Sequence, residues 1–200
     1  MVKLEGFPVE VTLRDGRSVV LRPMTAADGG RLLEFFRALP EEDRQFLKED
    51  VTRQEVVERF VRELDYERVF PLLAEHGGTI VGDATLHRTK YGWSTHVAAI
   101  RMVVARPFQR SGLGTALARH LVRHAVNVGV DKMIAEVVDN QIGARRAFAK
   151  LGFYEEAVLK GQVKDRQGIR RDLVIMANDV SHLWEAMEAL VADYSPTVGE

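Results

Sequence analysis

The chain has 200 residues, of which 46% are hydrophobic and 28% are charged, and this composition is typical of an ordinary globular protein. Its formal net charge of −1 argues against a general nucleic-acid-binding protein, and its lack of cysteine excludes disulfides, cysteine-ligated zinc and acyl-cysteine intermediates. No apolar run approaches the length of a membrane span, and the first residues lack the apolar segment of a signal peptide. We therefore expect a cytoplasmic protein with one folded domain, residues 1–178, followed by a short segment, residues 179–200.

The first half of the chain alternates between strand and helix patterns. Residues 9–21 alternate apolar and polar side chains around Asp15-Gly16, which predicts a β-hairpin. Two helices are expected next, each opened by a threonine with an acidic residue three positions later: Thr25 with Asp28, and Thr52 with Glu55. Three strands are then expected, over residues 69–74, 79–86 and 95–104.

The second half continues this alternation. The apolar spacing predicts three elements: a helix over residues 113–128, a strand over residues 132–138 and a second helix after Asp139. Two further strands are expected at about residues 157–164 and 169–176. Ser181 opens a last amphipathic helix, which packs either on its own domain or, as the alternative, on a second copy in a homodimer.

A glycine-rich segment joins the strand at residues 95–104 to the helix at residues 113–128. It reads Gln109-Arg110-Ser111-Gly112-Leu113-Gly114-Thr115. The start of a helix carries unpaired backbone N–H groups and the positive end of the helix dipole, and glycines let the backbone approach a phosphate closely. The segment therefore predicts a binding site for a phosphorylated cofactor.

The spacing of the glycines narrows the choice of cofactor. No Lys-Ser/Thr pair closes the segment, so it is not a nucleotide-binding P-loop, and Leu117 stands where a dinucleotide fingerprint requires its third glycine. The pattern Gln/Arg-x-x-Gly-x-Gly after a strand instead resembles the acyl-coenzyme A loop of the GNAT superfamily of N-acetyltransferases.

A second pattern strengthens this resemblance. The second signature of the superfamily is Asn-x-x-Ala-x-x-x-Tyr-x-Lys-x-Gly-Phe, and five positions of this chain lie in register with it: Ala144, Phe148, Lys150, Gly152 and Phe153. The resemblance covers residues 8–178. It implies an α/β (α+β) fold of the GNAT type, in which helices flank both faces of a central mixed, mostly antiparallel sheet and the last helix is an addition.

The resemblance also implies how acetyl-CoA, the expected acyl donor, is bound. Backbone N–H groups of the glycine-rich segment hold the pyrophosphate, the edge of the preceding strand pairs with the amides of pantetheine, and either Asn140 or Gln141 joins it. The positions expected to contact the coenzyme are Met102, Val103, Val104, Gln109, Arg110, Ser111, Gly112, Leu113, Gly114, Thr115, Asn140, Gln141, Ala144, Phe148 and Lys150.

Two departures from the family pattern leave the catalytic residues open. Phe148 replaces a tyrosine that the resemblance implies as proton donor to the leaving thiolate. The N-terminal part is similar to the GNAT domains of bacterial protein lysine acetyltransferases, which carry a glutamate where this chain has Ala99. Because the attacking amine has to be neutral, a base is needed within reach of it. Our two candidates are Glu136 and His96, and the further ones are Asp83 and His87.

The resemblance implies direct transfer of an acetyl group from acetyl-CoA to a primary amine. Two classes of acceptor stay open: small-molecule amines, and the lysine side chains or N-termini of proteins. The missing tyrosine and glutamate support a third hypothesis, a non-catalytic sensor that binds acyl-CoA without turnover. Coenzyme binding without acetylation of any amine would favour the sensor.

One histidine pair has the spacing of zinc ligands. His120 and His124 lie four residues apart on the helix expected at residues 113–128. No glutamate follows the first histidine, as it does in the zinc-protease motif. We therefore interpret the pair as part of a solvated helix face and expect no metal.

Overall fold

The structure is a computed structural model that describes residues 6–45, 47–165 and 167–180. Its strands are β1 (Val9–Thr12), β2 (Ser18–Pro23), β3 (Val69–His76), β4 (Thr79–Arg88), β5 (Val97–Val104), β6 (Lys132–Val138), β7 (Tyr154–Lys164) and β8 (Arg170–Asp179). Its helices are α1 (Gly29–Ala38), α2 (Glu41–Arg44), α3 (Gln54–Arg62), α4 (Leu113–Asn127) and α5 (Ile142–Lys150). The predicted order of elements is confirmed, with α2 as an unpredicted addition, and the helix expected from Ser181 lies outside the described residues. Within the described ranges, no helix is both long and apolar enough to cross a membrane.

The 8 strands form one sheet in the order β1-β2-β3-β4-β5-β6-β8-β7. Neighbouring strands are antiparallel except β5 and β6, which are parallel because helix α4 returns the chain between them. Within the described sheet, these two strands pair only where residues 97–99 face residues 132–134, although β5 continues to Val104 and β6 to Val138. The two strands therefore separate towards their carboxyl ends, and a cleft opens between them.

Different helices cover the two faces of the sheet. Helix α4 packs on one face, where Leu117 and Leu121 are fully buried. It approaches closely because Gly82 of β4 has no side chain, and a Cβ there would lie 3.1 Å from Leu117. Helices α1 and α3 cover the other face through a second core that contains Leu32 and Phe36. Since side chains alternate along a strand, the residues of β4 beyond Gly82 face these two layers in turn.

The two predicted capping boxes have different outcomes. The first is confirmed, because the Thr25 backbone N–H donates to Asp28 Oδ2 over 2.7 Å and α1 follows after one 3-10 turn. The second is wrong, because the Thr52 hydroxyl donates to Asp50 Oδ1 over 2.6 Å and α3 begins only at Gln54. The Asp50 carboxylate competes with the helix N-terminus for the Thr52 side chain. The spacing of Thr52 and Glu55 alone gives no information about this competition.

The interpretation of the histidine pair on α4 as a solvated face is also wrong. His124 is 6% exposed, and its ring stacks on Phe70 with the ring centroids 3.7 Å apart. The His120 ring lies 5.7 Å from that of Phe7. Burial lowers the pKa of His124 to about 4, and the positive charge of Arg88 adds to the shift. His124 is therefore an uncharged part of the core at neutral pH.

We expect the free energy of unfolding to fall as the pH drops from about 6.5, the ordinary histidine pKa, towards 4. In this window the unfolded chain binds a proton at His124 that the folded chain does not bind, because the folded pKa is about 4. The loss would reach about 3 kcal/mol at the lower end. Urea unfolding of the wild type and of His124→Phe at a series of pH values measures it. The free energy of unfolding of the variant should depend less on pH in this window. Parallel plots of the free energy of unfolding against pH for the two proteins would contradict the prediction.

Candidate active site

Two adjoining cavities meet at strand β5. The first has a volume of about 340 Å³ and lies between the sheet and helices α1 and α3, and we call it the large cavity. The second has a volume of about 130 Å³ and lies where β5 and β6 separate next to α5, and we call it the strand cleft. Both are lined by the same five residues: Leu47, Lys48, Arg101, Met102 and Val103. Two molecules that occupy the two cavities would therefore meet at residues 101–103.

The glycine loop, residues 109–115, follows β5 and ends in the first turn of α4. Gly112 precedes the helix with φ = 93°, and the Ala116 backbone N–H donates the first helical hydrogen bond to the Gly112 carbonyl over 3.0 Å. The N–H groups of residues 113–115 consequently have no carbonyl of the helix to pair with. Of the side chains in the loop, Ser111 and Leu113 are buried, whereas Gln109 and Arg110 are exposed. The loop therefore offers the backbone N–H groups at the start of α4 to a ligand, and its exposed side chains lie at its other end.

Two local contacts shape this loop. The Ser111 hydroxyl donates to the Phe108 carbonyl over 2.6 Å, and the Gln109 side-chain amide donates to the Val104 carbonyl over 3.1 Å. Gln109 thus closes the loop onto the end of β5 and occupies an acceptor of Val104. The Met102 side chain lies on the other side of the loop, where a Cβ added to Gly114 would be 3.7 Å from its sulfur.

The tip of the β1–β2 hairpin supports the loop from outside. The Arg14 backbone N–H donates to the Ser111 carbonyl over 2.9 Å, and a Cβ on Gly112 would lie 3.5 Å from the Arg14 side chain. The Arg17 guanidinium donates to the Pro107 carbonyl over 2.7 Å and lies 3.9 Å from the centroid of the Phe108 ring. These contacts join the loop to the hairpin.

The second signature contributes one wall of the strand cleft. Gln141, Ala144 and Phe148 line the cleft, and the Phe148 ring packs edge-on against Phe153 with centroids 5.2 Å apart. The Val138 N–H donates to Gln141 Oε1 over 3.0 Å, which leaves the Nε2 hydrogens of that amide as donors. Asn140 and Lys150 are exposed and do not line the cleft. Of the two amides left open by the sequence, the structure thus places Gln141 in the cleft.

The structure separates the two candidate bases chosen from the sequence. Glu136 lines the strand cleft and forms an ion pair with Lys48. His96 was expected on a strand, but β5 begins at Val97, and His96 lies in the preceding turn with an exposed side chain. That turn is at the opposite end of β5 from the glycine loop, and His96 lines neither cavity. The structure therefore does not bring His96 together with the other predicted site residues.

The further candidates, Asp83 and His87, face the large cavity from β4, on either side of Thr85. Burial raises the pKa of Asp83 to about 7, although a 3.4 Å hydrogen bond from the Thr85 hydroxyl acts in the opposite direction. Burial also lowers the pKa of His87 to about 4, and the charges of Arg101 and Lys48 add to that shift. A carboxyl group whose pKa lies near neutrality inside a cavity is a candidate proton acceptor.

Two charged residues of the site were missed by the sequence analysis. Arg101 interrupts an apolar strand, and such a charge within an apolar run is a signal that a pocket lies beside it. Lys48 lies between α2 and α3, a segment with no recognisable motif, and nothing local marks it. The polar residues at alternate positions 83, 85 and 87 were a second usable signal, because a strand that is covered on both faces is expected to be apolar.

Comparisons with known proteins agree with this geometry. The model of the acetyltransferase (GNAT) family matches residues 31–153. No curated protein sequence matches the chain at a significant level. Similar solved structures include the GNAT domain of PAT from S. lividans (TM-score 0.72, 23% identity, covering 86% of this chain and 96% of that one). A second is RimJ from Mycobacterium smegmatis in complex with CoA-disulfide (TM-score 0.76, 23% identity, covering 94% of this chain and 96% of that one). A third is the ribosomal-protein-S5-alanine acetyltransferase from Vibrio fischeri (TM-score 0.71, 12% identity, covering 80% of this chain and 92% of that one).

The family match includes β5, the glycine loop, α4 and the second signature, and these are the elements that build the strand cleft. It spans more than half of the chain. The sheet, with its single parallel pair opening at β5 and β6, has the fold of the GNAT domains to which it is similar. This chain therefore belongs to the GNAT acetyltransferase family.

Proposed function

We propose that this protein transfers an acetyl group from acetyl-CoA directly to a primary amine that enters the large cavity. The observation that carries the proposal is the meeting of the large cavity and the strand cleft at residues 101–103, next to the glycine loop. Acetyl-CoA supplies the activated acyl group as a thioester. The protein then has to hold two substrates in contact and remove one proton from the amine.

The residues of the strand cleft and the glycine loop fit the coenzyme. The free N–H groups of residues 113–115 suit a pyrophosphate, and the Thr115 hydroxyl adjoins them. The edge of β5 at Met102 and Val103 lies beyond its pairing with β6 and, with the Gln141 amide, suits the amides of pantetheine. The presence of CoA-disulfide in the similar RimJ structure supports the same coenzyme here.

We assign the role of base to Asp83. Its carboxylate accepts the proton that the amine nitrogen loses as the new C–N bond forms and the C–S bond of the thioester breaks. Backbone N–H groups on the unpaired edge of β5 are available to polarise the thioester carbonyl. Because Phe148 has no hydroxyl, we assign the proton for the departing thiolate to water, and the hydroxide that this leaves takes up the proton held by Asp83. No covalent intermediate with the protein is needed.

Glu136 is the second candidate for the base, and its ion pair argues against it. Its carboxylate is held by Lys48, so uptake of a proton at Glu136 would leave that ammonium without its partner. Asp83 has no such pair, since its hydrogen bond within the described residues comes from the neutral Thr85 hydroxyl. We therefore assign Glu136 the role of positioning Lys48 at the junction of the cavities.

The size of the large cavity favours a small-molecule amine over a protein as acceptor. Its volume of about 340 Å³ lies at the lower end of the range for small-molecule sites. A protein amine remains the alternative, and the Vibrio fischeri structure is of an enzyme named for a ribosomal protein. The third hypothesis is a sensor that binds acetyl-CoA without turnover, and it is supported by the departures from the family pattern at Phe148 and Ala99.

Release of free coenzyme A from acetyl-CoA, corrected for hydrolysis, tests these alternatives. We expect turnover with small amines. We expect little turnover with lysine peptides or with peptides that have free N-termini, because both kinds of peptide are too large for the large cavity. Binding of acetyl-CoA is measured in parallel by calorimetry. Binding without turnover on any amine would favour the sensor, turnover on peptides alone would favour a protein acceptor, and no binding would reject the proposed function.

A further inference from the structure

Arg101 is a cation that lines both cavities without a close partner. Among the described residues, its guanidinium makes no hydrogen bond or ion pair, whereas Lys48 is neutralised by Glu136, and Arg59 by Glu49. Arg68 also lines the large cavity without an ion pair to another described residue, but it does not line the strand cleft. Glu136 also acts on Arg101 electrostatically, but its carboxylate is already engaged by Lys48. Partial burial lowers the pKa of Arg101, whereas its side chain as a whole is exposed and therefore accessible to a ligand. Such a site is suited to an anionic group of a ligand.

The register of the sheet places Arg101 beside the proposed base. Arg101 is paired with Thr85, and Asp83 and His87 lie two residues to either side on the same face of β4. Diagonal neighbours of this kind lie about 7–8 Å apart, and their Cβ atoms are somewhat closer. No ion pair joins Asp83 to Arg101. The carboxyl group of Asp83 and the guanidinium of Arg101 therefore face the same cavity with a gap between them. An amine next to Asp83 and a carboxylate next to Arg101 would satisfy both groups.

The remaining wall of the large cavity is mostly apolar. Side chains from α1, from α3 and the segment after it, and from the strand β3 line it, among them Leu32, Phe36, Phe60, Leu64 and Val69. An acceptor whose polar groups were occupied by Asp83 and Arg101 would therefore place its other end against hydrocarbon, where an apolar substituent gains from burial.

We propose that the acceptor is a free amino acid or a close analogue, with an apolar side chain and a carboxylate adjacent to the amine, and that Arg101 determines this specificity by binding the carboxylate. The inference rests on the proposed function and names its substrate class. A lysine side chain or a protein N-terminus has no free carboxylate next to its amine, so either would leave Arg101 unpaired. The planar guanidinium suits a carboxylate because it can donate two parallel hydrogen bonds.

Matched pairs of acceptors test this inference directly. Leucine is compared with isoamylamine, and phenylalanine with phenethylamine, since each pair differs only in the carboxylate. We expect kcat/KM to be at least about 10-fold higher for the amino acids, as one charge-assisted pair of hydrogen bonds allows. In Arg101→Gln, KM for the amino acids should rise by about 10- to 100-fold while KM for the simple amines changes much less, and Arg101→Lys should recover part of the loss.

The matched control is Arg123→Gln, which removes the same charge from an exposed position on α4, on the opposite face of the sheet. It should leave the ratio between amino acid and amine unchanged. Equal kcat/KM for the two members of each pair, or an equal loss for both in Arg101→Gln, would overturn the inference while acetyl transfer itself stands.

A binding measurement separates failure of the inference from failure of the proposed function. Calorimetric titration of leucine or phenylalanine into the protein with free coenzyme A present requires no turnover. Binding to the wild type that is lost in Arg101→Gln, without acetylation of any amine, would support the ligand class and reject the transferase. No amino acid binding and no turnover would reject both.

Discussion

Replacing Asp83 with asparagine is expected to lower kcat for acetyl transfer by about 100- to 10,000-fold, the usual contribution of a positioned base. Asparagine keeps the shape of the side chain but cannot accept a proton from the attacking amine. Because burial raises the pKa of Asp83 to about 7, its carboxylate forms near neutral pH and is basic enough to take that proton. The rate of the wild type should rise with pH through about 7, and this inflection should be missing in Asp83→Asn.

The same change at Glu136 is the matched control. Glu136→Gln removes a carboxylate that lines the neighbouring strand cleft and is paired with Lys48, so we expect a much smaller loss of kcat and an unchanged inflection near neutral pH. A normal rate in Asp83→Asn, or the larger loss in Glu136→Gln, would reject Asp83 as the base.

Other titratable groups also line the large cavity around Asp83, and they come from five segments of the chain. They are His87 on β4, Arg101 on β5, Lys48 and Glu49 between α2 and α3, Arg59 on α3, and Glu63, Asp65 and Arg68 between α3 and β3. Burial is nevertheless the largest cause of the raised pKa, and the Thr85 hydroxyl opposes it. The inflection should consequently survive changes of salt concentration that screen the exposed charges.

Stability distinguishes loss of the base from loss of the fold. The folded pKa of Asp83, about 7, lies above the unfolded value of about 3.9, so the folded state binds the proton more tightly and loses stability as the pH rises through this window. Asp83→Asn removes that loss. The variant should therefore be at least as stable as the wild type at pH 8, as judged by urea unfolding.

Replacing Gly112 with valine is expected to raise the dissociation constant for acetyl-CoA by about 10- to 100-fold, because distortion of the loop costs a few kcal/mol. Gly112 has φ = 93°, a conformation that a β-branched residue resists, and its new Cβ would lie 3.5 Å from the Arg14 side chain. Relief of this strain moves the backbone N–H groups at the start of α4. Calorimetry with acetyl-CoA measures the effect without relying on turnover.

Gly129→Val provides a control for the strain itself. Gly129 follows the other end of α4 with φ = 71°, and no atom lies within 4 Å of the position that its Cβ would take. The two variants should lose comparable stability, but only Gly112→Val should bind acetyl-CoA more weakly. Equal affinity in the two variants would exclude the glycine loop as the phosphate site.

The sequence by itself determined the features of this protein that depend on local geometry. The glycine loop was recognisable because a tight turn before a helix requires glycine where φ is positive, as at Gly112. The Thr25–Asp28 cap and the alternation of strands and helices follow from hydrogen bonds and periodicities that span a few residues. Two positions of the second signature, Ala144 and Phe148, line the strand cleft in the structure, and their contact with the coenzyme stays a prediction.

Only the tertiary structure decided which side chains share the site. Asp83, Arg101 and Lys48 come from three separate segments, and their proximity depends on the register between β4 and β5 and on the packing of α1 and α3 over the sheet. The pKa of Asp83 and the burial of His124 are likewise products of packing, because desolvation depends on every element that surrounds a group. His96, chosen for its position in the sequence, lies outside the site. Strand β5 begins at the next residue, Val97, and the cavities lie towards the other end of this strand.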